Sequence, residues 1–253
     1  MQDRYAGDIG DFAKFAVLRG LVGDSGLRLG LVWYLTSQRG DPAGDGRHTQ
    51  YLDRNTRNEA VYRSCDPELY DCLADIVNGG KRSVAAFPTT TILPPDTVYF
   101  DAPLEFDLAA SRSERAAIRT QWVRAAANET ASCDVVMFDP DNGLEVRSAA
   151  KYTARGPKYV FFDELARYVA RGQTVIVYQH ANRSRRMIEQ VSARLRELRQ
   201  RLPLTAEPFG LVWRSVSSRA FLVAPAIKHE NVIIERTKLL ISGLLGRHLD
   251  RYP

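Results

Sequence analysis

The chain is poor in the features that mark the specialised protein classes. Its three cysteines, Cys65, Cys72 and Cys133, form no CxxC pair, which argues against a disulfide framework and a structural zinc site and leaves them as small core residues. No window approaches the roughly 18 unbroken apolar residues of a membrane-spanning helix. The opening MQDRYAGDIGDF has neither the basic start nor the apolar run of a signal peptide, so the expectation is a cytoplasmic protein without a membrane partner. No low-complexity tract or internal repeat interrupts the 253 residues, and glycine and proline are scattered rather than gathered into a linker. One domain over 1–253 is the economical reading. Charge of one sign is also in short supply: 35 Lys plus Arg against 30 Asp plus Glu gives +5 and a pI of about 9.2. At 45% hydrophobic and 26% charged, the composition excludes whole-chain disorder and supports a sizeable core.

What is present is an alternation of helical and strand patterns. Phe12, Phe15, Ala16, Leu18 and Leu21 give helical spacing over about 11–22, and the strand LRLGLVWYL follows over 27–35. A glycine-rich loop comes next. Asp66-Pro67 reads as a helix cap before DPELYDCLADIVN, which Gly79-Gly80 ends. RSVAAF and TVYFD read as short strands, a helix is expected around 111–128, and VVMF forms an apolar run suited to a strand covered on both faces. A helix over 158–170, the strand TVIVYQH, a basic amphipathic helix over 184–202, a hairpin around Ser-Val-Ser-Ser and a final helix over 232–248 complete the pattern. The expected fold is α/β, a mostly parallel sheet with helices on both faces and a C-terminal antiparallel hairpin.

Ligands of such sheets collect at the carboxyl ends of the strands. Three of these ends are dense in polar groups: 36–51, Asp139 to Glu145, and Gln179 to Arg183. In DPDNGLE, Pro140 fixes the backbone where Asp139 leaves the strand, and Asn142-Gly143 permits a sharp turn. Asp139, Asp141 and Glu145 are then close enough to repel unless a metal, a cationic side chain or a substrate amine compensates them. A plain Asp turn capping the next segment is the alternative. His180 would lie beside Asp139 if their strands are neighbours, His48 is a second candidate, and His229 and His248 read as surface residues. On helix 184–202, Met187, Val191, Leu195, Leu198 and Leu202 share one face, and Arg183, Arg185, Arg186, Arg194, Arg196, Arg199 and Arg201 the other. That face could track phosphates, or be a solvated helix with Glu189 and Glu197 as internal partners.

The order of parts resembles a Rossmann-like, S-adenosylmethionine-dependent methyltransferase. Its nearest likeness is to the adenine-N6 methyltransferases of large-subunit ribosomal RNA, which open with HAGNxADxxKHxxL. YAGDIGDFAKFAVL keeps Ala6, Gly7, Asp11, Lys14 and Leu18 in register, and DPDN and VIVYQH stand where that family has DPPY and a strand ending in an aromatic-polar pair. The resemblance implies a cofactor region near Lys14 and the loop after the first strand, with Asp139 accepting a hydrogen bond from a target amine. Two substitutions set this chain apart: Asp141 for the second proline and Asn142 for the aromatic residue.

Three readings follow. In the leading one, S-adenosylmethionine is held by Lys14, Gly40, Asp41, Gly44, Asp45 and Gly46. Asp139, Asp141 and His180 act at the reacting centre, and His48, Asn142, Gln179 and Arg183 bind a nucleic-acid (RNA or DNA) or other polar substrate. The second is a phosphodiesterase or nuclease in which Asp139, Asp141, Glu145 and His180 hold Mg²⁺ or Mn²⁺. The third is a non-catalytic nucleic-acid-binding protein with a degenerate methyltransferase fold.

Overall fold

A computed structural model describes residues 1–36, 46–80, 82–181, 185–216 and 218–253. In chain order the elements are α1 (Ile9–Val22), β1 (Leu29–Trp33), a short α2 (Thr56–Asn58), α3 (Pro67–Asn78), β2 (Val98–Phe100), α4 (Arg112–Glu129), β3 (Val135–Asp139) and β4 (Gly143–Leu144). They continue with β5 (Tyr159–Val160), α5 (Phe162–Ala170), β6 (Thr174–His180), α6 (Met187–Arg201), β7 (Phe209–Trp213), β8 (Arg219–Ala224), α7 (Glu230–Ser242) and β9 (Leu249–Tyr252). Seven strands form one sheet in the order β2-β1-β3-β6-β8-β7-β9, and β4 and β5 pair separately. The β2, β1, β3 and β6 ladders are parallel, and β8 runs antiparallel between β6 and β7. The fold is therefore the expected α/β one.

Strand side chains alternate between the two faces, and each face meets its own helices. Leu29, Leu31, Trp33, Val135, Met137 and Ile176 pack against α1, α3 and α7; Val32, Val136, Phe138, Val175 and Val177 pack against α4, α5 and α6. This two-sided cover explains why β1, β3 and most of β6 read as unbroken apolar runs. No helix among the described residues is long and apolar enough to cross a membrane.

Four local expectations are corrected. RSVAAF is not a strand but part of a 3₁₀ turn over Val84–Thr89, because Ser83 Oγ accepts from Ala85 N, Asp3 Oδ1 accepts from Val84 N, and Pro88 has no N–H to offer a ladder. The helix over 158–170 begins only at Phe162; the residues before it form β5, and the Glu164 carboxylate accepts from Phe161 N. The last helix stops at Ser242, where Gly243 takes an extended conformation (φ −82°, ψ −171°); a 3₁₀ turn over Leu244–Arg247 follows, and Leu249–Tyr252 then adds β9 beside β7. His229 and His248 are buried: His229 lies between Thr174 and Asp134, and His248 stacks on Tyr62 with Ser215 Oγ 2.5 Å from its Nδ1. Cys133 is buried as expected, whereas Cys65 and Cys72 are half-buried.

Candidate functional site

The YAGDIGD segment builds the start of α1. Asp8 is its cap, with Oδ1 accepting from Gly10 N (2.7 Å) and Asp11 N (3.2 Å), and Asp11 Oδ2 accepts from Gly7 N at 2.9 Å. Gly7 has φ +78°, and a Cβ there would sit 2.5 Å from Val77 Cγ2, so any other residue would strain the backbone and displace Val77. One helical turn on, Lys14 Nζ lies 2.6 Å from Asp11 Oδ1 and 2.6 Å from Asp139 Oδ2 at the end of β3. The N-terminal motif and DPDN thus meet in one buried contact across 125 residues of chain, from Lys14 to Asp139.

One ammonium serves two carboxylates here, and the proton affinities follow. Burial opposes the charge on Lys14, but Asp11 and Asp139 outweigh it and hold its pKa above the ordinary value. Burial also raises the pKa of Asp11 and Asp139, because a shared lysine compensates neither fully. Asp141 differs. Burial acts against its charge too, yet the Met1 ammonium at 2.6 Å, Lys158 at 3.5 Å and the Gln2 amide at 3.1 Å keep its pKa below the usual value.

DPDNGLE and the end of β6 at Gln179 and His180 do converge, through a structural clasp. Gln179 Oε1 accepts from Leu144 N at 3.1 Å, its Nε2 donates to Asn142 O at 3.1 Å, and His180 N donates to the same carbonyl at 3.2 Å. Gly143, at φ +114°, lets the turn pass directly over the Gln179 amide. Gly143→Ala should therefore lower stability by about 1–3 kcal/mol, from positive-φ strain together with displacement of Gln179. Urea denaturation checks this, and an unchanged midpoint would show that the clasp is dispensable.

Above this floor is a cleft of about 420 Å³ at the carboxyl edge of the sheet, lined by Asp8, Asp11, Lys14, Gly46, His48, Asp139, Asp141, Asn142 and His180 among others. Seven of the expected site residues thus share one cavity: Lys14, Gly46, His48, Asp139, Asp141, Asn142 and His180. Gln179 is a correction, since it is buried in the clasp and does not line the cleft. Gly40, Asp41, Gly44, Asp45 and Arg183 lie outside the described residues. The structure adds Met1, Tyr5, Lys158, Tyr178 and Arg219. Burial pushes the Tyr178 phenol up to about 12.

The four-residue metal set does not assemble. Glu145 follows β4 and lies outside the cleft, and its Oε1 pairs with Arg201 Nη1 at 2.6 Å. Among the described residues, no three His, Cys, Asp or Glu side chains are grouped to hold a metal ion. The basic face of α6 is also largely engaged: Arg186 pairs with Glu189, Arg194 with Glu197, Arg199 with Glu207 and Arg201 with Glu145. Glu189 and Glu197 are the internal partners foreseen for a solvated helix.

A second cavity, a slot of about 190 Å³, is lined by Gln2, Thr36 and Lys158, with apolar walls from Leu104, Phe106 and Pro157. Lys158 lines both cavities. In the slot, Gln2 Oε1 and Thr36 Oγ1 are buried without a hydrogen-bond partner. No protein-family model matches the chain, and no curated protein matches it.

Proposed function

We propose that the protein is a methyltransferase-like enzyme that binds S-adenosylmethionine at the carboxyl edge of its sheet and acts on a nucleic acid or another polar acceptor. The observation that carries this reading is the buried Lys14–Asp139 contact beneath the cleft, which joins the two motifs on which the resemblance rests. The strand order supports it, with one antiparallel strand set between β6 and β7.

The residues present fit the cofactor. The cleft, at about 420 Å³, has the size of a small-ligand site. A slot with apolar walls and two unpartnered oxygens suits a nucleoside, whose base is flat and whose hydroxyl and amino groups are donors. When bound, S-adenosylmethionine supplies a methyl group activated by the sulfonium charge. Asp139, fixed by Lys14, would accept a hydrogen bond from the acceptor's nucleophile and orient it. Asn142 offers an amide where the resembled family has an aromatic ring, so flat contacts for the acceptor would come instead from Tyr178 and His180 at the end of β6.

The test is calorimetric titration with S-adenosylhomocysteine, run beside Mg²⁺ and Mn²⁺ after removal of bound metal. Saturable nucleoside binding with no metal requirement is expected. Metal binding alone, lost in Asp139→Asn, would replace this reading with the hydrolytic one. Nucleic-acid binding without either ligand would leave the non-catalytic one.

A further inference from the structure

We infer that Gln2 is the residue that reads the base of the nucleoside: its side-chain carbonyl accepts from an exocyclic amino group in the slot, so the site takes adenine and disfavours the same ring carrying a carbonyl there. The inference rests on the proposed cofactor and deepens it by naming the feature of the ligand that is recognised.

Gln2 is placed by the backbone around it and aimed by one carboxylate. Tyr5 N donates to Gln2 O at 3.0 Å and Thr36 N donates to Met1 O at 3.0 Å, which sets the first two residues beside the end of β1. Gln2 is 3% exposed, and it lines the slot rather than the cleft. Its Nε2 donates to Asp141 Oδ2 at 3.1 Å. Burial opposes the charge on Asp141, but the Met1 ammonium keeps its pKa below the usual value, so at neutral pH this carboxylate accepts and cannot donate. The amide is therefore held in one sense. The atom left over is Oε1, which can only accept.

Oε1 is buried and has no hydrogen-bond partner among the described residues, a condition that a bound N–H donor relieves. Thr36 Oγ1 shares that condition, but a hydroxyl can donate or accept. A fixed acceptor beside an adaptable hydroxyl matches the edge of adenine, where an amino group stands next to a ring nitrogen. The rest of the slot suits the ring. Leu104 and Phe106 are buried, Leu104 N donates to Leu35 O at 2.8 Å, and with Pro157 they supply apolar surface beside the end of β1. At about 190 Å³ the slot is smaller than a pocket for a whole ligand and holds one ring system. Lys158, which lines both cavities, and the Gln2–Asp141 bond tie it to the cleft, where the remainder of the cofactor would lie. In hypoxanthine a carbonyl oxygen replaces the amino group. Two acceptors would then face each other in a buried site, and neither would be satisfied.

The experiment compares S-adenosylhomocysteine with S-inosylhomocysteine, its counterpart with a carbonyl in place of the amino group, by calorimetry, with adenosine and inosine run beside them. The wild type should bind the amino form at least about tenfold more tightly. Gln2→Met keeps the length of the side chain and removes the acceptor. It should bring the two affinities within about threefold of each other, chiefly by weakening the amino form. Thermal unfolding shows that the variant is folded. Equal affinity of the wild type for the two homocysteine derivatives overturns the inference and leaves the cofactor reading standing, as does an undiminished preference in folded Gln2→Met. Binding of adenosine in preference to inosine, without binding of S-adenosylhomocysteine, overturns the cofactor reading and leaves the choice of base standing. Binding of none of the four overturns both.

Discussion

Lys14→Met should lower stability at neutral pH by about 3–5 kcal/mol, the usual consequence of leaving buried carboxylates without their partner. Lys14 is 2% exposed, and its ammonium lies 2.6 Å from both Asp11 and Asp139. Methionine fills much of the volume, so the loss measures charge rather than a cavity. The pH dependence identifies the cause. Asp11 and Asp139 already have folded-state pKa values above the unfolded one, so the folded state takes up protons first and gains stability as pH falls through that interval. Without Lys14 the interval widens upward. The variant's deficit, read from urea midpoints, should be smaller at pH 5 than at pH 7. Lys14 acts with the same sign of slope in the wild type but at higher pH, because its folded pKa is raised too. Its contribution is complete below its unfolded pKa and is lost only as pH rises through the folded value. A loss below about 1 kcal/mol at pH 7, or one that does not change with pH, would mean that the three groups are not a charge cluster.

The sheet was legible because burial on both faces forces continuous apolar runs, and VVMF and TVIVY are such runs. The floor of the cleft was only half legible. Asp139 announces itself by ending a strand before proline, and Lys14 by its motif, but nothing local in either segment states that they touch. That contact depends on β3 lying beside β1, with Trp33 opposite Asp139. Glu145 misled for the same reason: six residues from Asp139 it shares a sequence neighbourhood, yet the positive-φ turn at Gly143 sends it to Arg201 on α6. Gln179 looked like a substrate group because it is polar at a strand end. Its amide is instead the most economical partner for a turn that exposes backbone N–H and C=O groups with no ladder to join. Arg219 and Lys158 carried no signal at all, since a cation's value to a site depends on which carboxylates the fold brings near it.

Arg119→Met is expected to be equally severe, about 3–5 kcal/mol, and to reach the cleft although Arg119 does not line it. The guanidinium is fully buried, donating from Nε to Glu164 Oε1 at 2.6 Å and from Nη2 to Glu164 Oε2 at 3.0 Å and Tyr159 O at 2.8 Å. Its carbon lies 4.6 Å from the centre of the Phe161 ring. Burial opposes its charge, but Glu164 outweighs this and keeps its pKa raised. Glu164 Oε2 also accepts from Tyr34 Oη at 3.1 Å, and Tyr34 N donates to Asp139 O at 3.3 Å while its carbonyl accepts from the Met1 ammonium. Loosening Glu164 thus loosens the residue that ties the end of β1 to Asp139. Lys151 Nζ, 3.1 Å from Glu164 Oε1, remains as a partial partner, which places the loss toward the lower end of the range. Arg119→Lys separates charge from geometry. A single ammonium keeps the charge but cannot span both Glu164 oxygens and the Tyr159 carbonyl from one position, so it should recover less than half of the stability lost in Arg119→Met. Thermal unfolding of the two variants, with S-adenosylhomocysteine titrations of each, decides the matter. Full recovery by lysine would reduce the fork to a simple counter-ion and break the proposed line of support from α4 to the cleft floor.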